Sequence, residues 1–324
     1  MNKTVLRALS RIRVGERISR VTALSLVRAP LGDLLRGADA LRRECGGNRV
    51  ALCAITNARS GLCGEDCAFC AQSSRHAAGA PVYPMRGVAA LLSAARNARA
   101  MGAVRFGVVT SGRAAGRGDV ARVCAAVRAI RRMGGIIPCA SLGEIGEAGA
   151  GRLKRAGLSR YHHNLETSPR FFPSACTTHR WADRVRTVRA ARRAGLQVCS
   201  GGLFGLGETW GDRVDLALAL RELGVDSVPL NFLMPVRGTP LGKKRPLPAR
   251  EALRIIAVFR FVLPLAEIRV AGGRELVLGK MQERIFAAGA NAMMVGDYLT
   301  AKGRAPGDDL RMLRRLGLEV GCAR

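Results

Sequence analysis

Short apolar runs alternate with longer amphipathic stretches along this chain of 324 residues, and that alternation sets the fold. The runs cover 50–57, 104–110, 136–141, 160–165, 197–201, 227–232, 267–271 and 292–295. Each has the length of a buried strand. Stretches with helical periodicity lie between them, near 86–102, 117–134, 143–156, 181–194, 211–223, 248–263 and 273–288. Gly134-Gly135, Gly157, Gly195 and Gly224 stand where a helix has to stop before the next strand. Serial βα units build a parallel sheet. Eight strands with helices between them fit a closed (β/α)8 barrel of the TIM type, and a doubly wound open sheet is the alternative on the same pattern. Residues 1–45 read as an N-terminal helical extension across the barrel bottom or outside, 46–300 as the barrel, and 301–324 as a C-terminal helical tail packed on it.

Composition narrows the class. Nearly half the chain, 48%, is hydrophobic, enough for a large core. No apolar run approaches the ~18 residues of a membrane span, and the basic N-terminus MNKTVLRALSRIRVGERISR lacks an apolar signal core. A cytoplasmic protein with no membrane partner is expected. The net charge of +29 would suit nucleic acid. The Arg residues are scattered over helices, however, and aromatic content is 4%, poor for base stacking. No specific nucleic-acid partner is expected.

Ten cysteines are present, and without a signal peptide a disulfide framework is a poor reading. Cys63, Cys67 and Cys70 are clustered as C-x₃-C-x₂-C just after the first strand, the end where barrel chemistry occurs. Three close thiolates can hold three corners of a cubane and leave one iron open, whereas iron–sulfur clusters normally take four protein ligands. Zinc with a remote fourth ligand is the competing reading. It lacks a second close pair, and His76 is poorly spaced for the role.

The spacing, with aromatic Phe69 before the third Cys, resembles the radical S-adenosylmethionine superfamily. That resemblance implies a [4Fe-4S] cluster on Cys63, Cys67 and Cys70 whose open iron chelates S-adenosylmethionine. Further stretches resemble the biotin synthases: GLCGEDCAFCAQSSRH, RYHHNLETSP, TTHRWADRV, VCSGGLFGLGET, SVPLNFLMPVRGTPL, EIRVAGGRE and GANAMMVGDYLT, within roughly 28–320. The implied reaction inserts sulfur into dethiobiotin, with two S-adenosylmethionines consumed, a second [2Fe-2S] cluster as sulfur source, a reducing flavodoxin- or ferredoxin-type electron donor and a homodimer. By the same resemblance Phe69 lies against the adenine, Asn164 and Glu166 bind the ribose, Arg184 lies beside the cofactor, and the Gly-rich edge at Gly205 contacts methionine or adenine. Asn231 faces the substrate's ureido ring, for which an amide supplies donor and acceptor.

The chain departs from the family at two positions. The resemblance implies second-cluster ligands on strands two, three, five and seven. Cys139, Cys199 and Arg269 match, but the strand-two position is Gly107, which has no side chain. Cys53, on the neighbouring first strand, is a candidate replacement, since adjacent strands lie about 4.8 Å apart. His162 stands where the family commonly has a substrate-facing Asn. Arg269 could instead pair with an acid, as a buried charge needs a partner either way. Cys45, Cys124, Cys176 and Cys322 match no motif and read as structural, and His163 and His179 as framework. These departures leave open another radical enzyme on the same scaffold, a lipoyl-type sulfur inserter or a maturase. A basic nucleic-acid-binding protein with a structural metal is the reading from a different class.

Overall fold

A computed structural model describes residues 1–322. Three helices, α1 (Lys3–Arg13), α2 (Arg20–Val27) and α3 (Leu31–Gly46), precede β1 (Arg49–Arg59). Then follow α4 (Val88–Ala100), β2 (Arg105–Thr110), α5 (Arg117–Met133), β3 (Ile137–Ser141), α6 (Glu147–Arg155), β4 (Arg160–His162), α7 (Phe172–Ala175), α8 (Trp181–Arg193), β5 (Gln197–Cys199) and β6 (Gly202–Phe204). The chain continues through α9 (Trp210–Glu222), β7 (Ser227–Phe232), α10 (Ala249–Val262), β8 (Glu267–Val270), α11 (Arg274–Leu278), α12 (Arg284–Ala287), β9 (Ala292–Met294), α13 (Pro306–Arg315) and β10 (Glu319–Val320).

All strand pairs are parallel, and β9 pairs back onto β1, so the sheet closes into the expected barrel. The open-sheet alternative is excluded by that pairing. Each α-helical crossover buries one apolar face on the strands; Val120, Val123, Val127 and Ile130 do so on α5. Phe204, Phe232 and Phe259 pack with ring centroids 5.3–6.2 Å apart between barrel and α10. Truncating one of them to Ala would cost about 3–5 kcal/mol.

Three differences from the sequence reading have physical causes. The fifth strand breaks after Cys199 and resumes at Gly202. At Gly201 the neighbouring Pro229 carbonyl oxygen lies 2.0 Å from where a Cβ would stand, so only glycine lets the chains pass. The fourth strand ends at His162 rather than at 165, and Glu166 follows with a φ of 67°. The helix expected over 273–288 is cut at Gly279 by a φ of 47°. The helical extension packs outside the barrel, α3 on α10 and α2 on α9, while the α1–α2 connection borders the barrel floor. The tail contributes α13 and also β10, which adds to the start of β1 beside Arg49 and Val50. No helix among the described residues is long and apolar enough to cross a membrane.

Candidate active site

The loop after β1 is built around Gln72. Its side-chain oxygen accepts from Asn57 Nδ2 at 3.1 Å, Ser60 Oγ at 3.0 Å and the Gly61 N–H at 3.2 Å. The Cys63 N–H donates to the Gln72 carbonyl at 3.0 Å, and the Cys70 N–H donates to the Cys67 carbonyl at 2.9 Å. These bonds fold the loop back on itself and bring Cys63, Cys67 and Cys70 to the barrel mouth. All ten cysteines are free. Three unpaired thiols on one short loop, next to the apolar group of Phe69, Phe172 and Trp181, fit a three-ligand iron–sulfur cluster.

A second layer clamps that loop from behind. Asp66 accepts from the Thr177 N–H at 2.9 Å and the Thr178 N–H at 3.2 Å. Burial opposes ionisation of Asp66, but the hydrogen bonds from Thr177 and Thr178 hold its carboxyl well below the usual range. Glu65 accepts from Thr178 Oγ at 2.8 Å and from His179 Nδ1. His179 Nε2 in turn accepts from Arg184 Nε at 3.1 Å. This pattern fixes the His179 tautomer with its proton on Nδ1. Cys67, Cys176 and His179 put their ligand atoms within 4.8 Å of one another.

Beyond β4 the backbone turns so that Asn164 and Glu166 meet, with Asn164 Nδ2 at 3.5 Å from Glu166 Oε2. Arg184 donates to the Asn164 carbonyl at 2.9 Å and lies 3.7 Å from Glu166. Burial raises the Glu166 pKa, and Arg184 works against that shift. A carboxylate so placed gains from hydroxyl donors such as a ribose. The Gly205 N–H donates to Glu208 at 3.0 Å, and a Cβ there would meet Leu247 at 3.2 Å. Asn231 Nδ2 donates to the Gly202 carbonyl at 3.2 Å, and its side-chain oxygen accepts from the Gly272 N–H at 3.0 Å. The amide thus ties β6 to the loop after β8 and keeps one donor and one lone pair free.

Deeper in the barrel, Cys53, Cys139 and Cys199 project from β1, β3 and β5, exposed by 2%, 0% and 0%. Gly107 lies in register with Ile55 on one side and Cys139 on the other, and His162 with Cys199. Arg269 donates to Glu267 at 2.6 Å and Ser227 Oγ at 2.9 Å. The acid pairing weighed from sequence is therefore present, yet Arg269 Nε and His162 Nε2 are enclosed without a partner. Burial pushes the Cys53 thiol up to about 12, against the opposing pull of Arg269. Three thiols and two orphaned nitrogen atoms around one interior region fit a second metal centre that lacks a ligand from β2.

The sequence pattern of the Radical SAM superfamily matches residues 59–220, and the Biotin and Thiamin Synthesis associated domain matches 229–319. The biotin synthase of Trichlorobacter lovleyi is 52% identical over 310 residues, covering 94% of this chain and 93% of the relative. That of Syntrophotalea carbinolica is 48% identical over 322 residues, covering 98% of each. The chain belongs to the biotin synthase family. Among solved structures, methylornithine synthase (TM-score 0.83, 19% identity, 97% of each chain) shares the fold. So does the FeFe-hydrogenase maturase HydG of Carboxydothermus hydrogenoformans (TM-score 0.81, 17% identity, 97% of this chain and 78% of that one).

Against the biotin synthase pattern, the structure brings Cys63, Cys67, Cys70, Phe69, Asn164, Glu166 and Arg184 to one mouth. It brings Cys53, Cys139, Cys199, His162 and Arg269 to one interior layer. Cys176 and His179, read from sequence as structural and framework, instead stand against Cys67. The signal that could have found them is the TTH stretch beside the acidic pair Glu65-Asp66 inside the cysteine loop. Two half-buried carboxylates gain from donors, and Thr177, Thr178 and His179 supply them.

Proposed function

We propose that the chain inserts sulfur into dethiobiotin to make biotin. Cys63, Cys67 and Cys70 would hold a [4Fe-4S] cluster. Phe69, Asn164, Glu166, Arg184 and the Gly205 edge would receive S-adenosylmethionine, two molecules per product. Cys139, Cys199 and Arg269, with Cys53 in place of the missing β2 ligand, would hold a second cluster of the [2Fe-2S] type or a variant. When bound, these groups supply the electron that splits S-adenosylmethionine into methionine and a 5′-deoxyadenosyl radical, and the sulfur atom.

The protein's own part is positioning. Glu166 would accept the ribose hydroxyls, and Arg184, fixed by His179 and the Asn164 carbonyl, would line the cofactor's edge. Asn231 and His162 would face the ureido ring, between mouth and interior layer. A flavodoxin- or ferredoxin-type protein would deliver the electron, and the enzyme would work as a cytoplasmic homodimer.

The observation that carries this reading is the convergence of Cys53, Cys139, Cys199 and Arg269 below a mouth holding the cysteine loop. The test is anaerobic reconstitution, Mössbauer spectroscopy and a dethiobiotin-dependent biotin assay. Two distinct iron environments and biotin are expected. Gly107 and His162 favour a second reading, a radical enzyme of the same scaffold acting on another substrate. It predicts 5′-deoxyadenosine without biotin.

A further inference from the structure

The barrel floor opens into a cavity of about 930 Å³ bordered by Arg105, Arg160, Gln197, Asp226 and Glu267. Arg105 is 7% exposed. Its guanidinium reaches only Ser159 Oγ at 3.4 Å and Gln197 Oε1 at 3.3 Å, both neutral and long. No carboxylate among the described residues pairs with it, and its Nε has no partner. Arg160, 3% exposed, donates to Glu267 at 2.8 Å, but the same carboxylate also serves Arg269 at 2.6 Å. Arg160 Nε is likewise unpartnered. Asp226 turns its carboxylate to the Val198 N–H at 2.8 Å instead.

Two buried guanidiniums, Arg160 and Arg269, thus share the Glu267 carboxylate, and a third, Arg105, has none. A buried charge without a counter-charge is strongly unfavourable, and an enclosed donor without an acceptor points to a bound group. A metal centre on Cys53, Cys139 and Cys199 would answer Arg269, which faces Cys53 and Cys199. It would leave Arg105 turned to the floor cavity. The register sharpens the choice of anion. Arg105 pairs across the sheet with Cys53, and Arg160 with Cys139. Each cavity arginine is therefore the register neighbour of a cysteine of the interior layer on the adjacent strand.

We propose that Arg105 and Arg160 form an anion site on the barrel floor, and that it admits sulfur to the interior metal centre as hydrosulfide. The inlet rests on the sulfur-inserting reading given above. A centre that gives up sulfur has to be resupplied. The mouth, where S-adenosylmethionine and substrate would sit, lies at the opposite end of the strands, so the floor offers a separate approach for a small anion.

The test uses the full chain under anaerobic conditions. Crystals soaked in bromide are expected to show an anomalous peak between the Arg105 and Arg160 guanidiniums. After turnover, sulfide-dependent recovery of the second centre's Mössbauer signal is followed in wild type and Arg105→Gln. Recovery is expected to slow about tenfold in the variant, equivalent to about 1.4 kcal/mol, with reductive S-adenosylmethionine cleavage unchanged. Bromide is expected to slow recovery competitively in the wild-type chain, a measurement that stands if the variant fails to fold. No bromide peak, or a carboxylate of the chain itself paired with the Arg105 guanidinium, overturns the site. Equal recovery rates with the peak present overturn the inlet. A chain that binds bromide at Arg105 yet carries no second centre overturns the sulfur-inserting reading and the inlet with it, and leaves the anion site standing.

Discussion

Ile55 fills the space beside Gly107: its Cγ2 lies 3.1 Å from where a Cβ on Gly107 would stand. The absent side chain on β2 is thus matched by a branched side chain on β1, and the two positions work as a pair. Gly107→Cys alone presses on Ile55 and is expected to lower stability by about 1–3 kcal/mol, the usual cost of overpacking. Ile55→Ala combined with Gly107→Cys makes room for the thiol. Denaturant unfolding of the two variants checks this, and an equally destabilised double variant counts against it.

Cys53→Ala is expected to abolish the spectrum of the second centre and biotin formation while 5′-deoxyadenosine production continues. Cys124→Ala, on α5 in the outer core, serves as the control and keeps both centres. Mössbauer spectra of the reconstituted variants decide between a ligand and a small core residue at position 53.

His179 joins Glu65 of the cysteine loop to Arg184 beside the proposed cofactor site. His179→Ala leaves the Arg184 Nε–H without its acceptor. Losing a hydrogen bond to a charged group costs about 1.5–3 kcal/mol. The KM for S-adenosylmethionine should therefore rise roughly tenfold or more, with a smaller change in kcat. His179→Gln should recover part of the loss. Unchanged iron content in both variants separates positioning of Arg184 from loss of the first cluster.

Asp212, at the start of α9, ties that helix to the loop after β4 by accepting from Ser168 Oγ at 2.7 Å and the Thr209 N–H at 2.8 Å. Burial works against its ionisation, but the hydrogen bonds from Thr209 and Ser168 hold its carboxyl down to about 2. In the unfolded chain it titrates near 3.9. Its contribution of about 2 kcal/mol is complete above roughly pH 4 and disappears as pH falls from there through the folded value. Asp212→Asn should lower stability at neutral pH by about that amount. The gap to wild type should close in acid. A constant gap from pH 7 to 3 would contradict the assignment.

The barrel was readable from sequence because each strand is a short apolar run and glycine ends most helices, as at Gly134 and Gly195 with φ of 69° and 75°. The cysteine loop could be singled out because its three thiols are close together in the chain. What was hidden depends on contacts between distant segments. The break at Gly201 is imposed by the Pro229 carbonyl, from another strand. Two-residue β10 is too short for any periodicity. The pairing of Glu65 and Asp66 with 177–179 joins segments more than a hundred residues apart. Arg269 is the opposite case: Glu267 stands two residues away on the same strand, so both side chains share one face and the acid pairing could be anticipated.

β1 runs in register with β2 from Cys53 to Asn57, shifts register before Arg59 and leads into Cys63, so a single stave would anchor both redox groups. Sliding that stave by one residue against β2 and β9 would turn Cys53 out of the lumen and drag the cysteine loop along by about 3.3 Å. The span between the proposed clusters would therefore be retuned only where the register is already relaxed, between Asn57 and Cys63, and not in the paired stretch from Cys53 to Asn57.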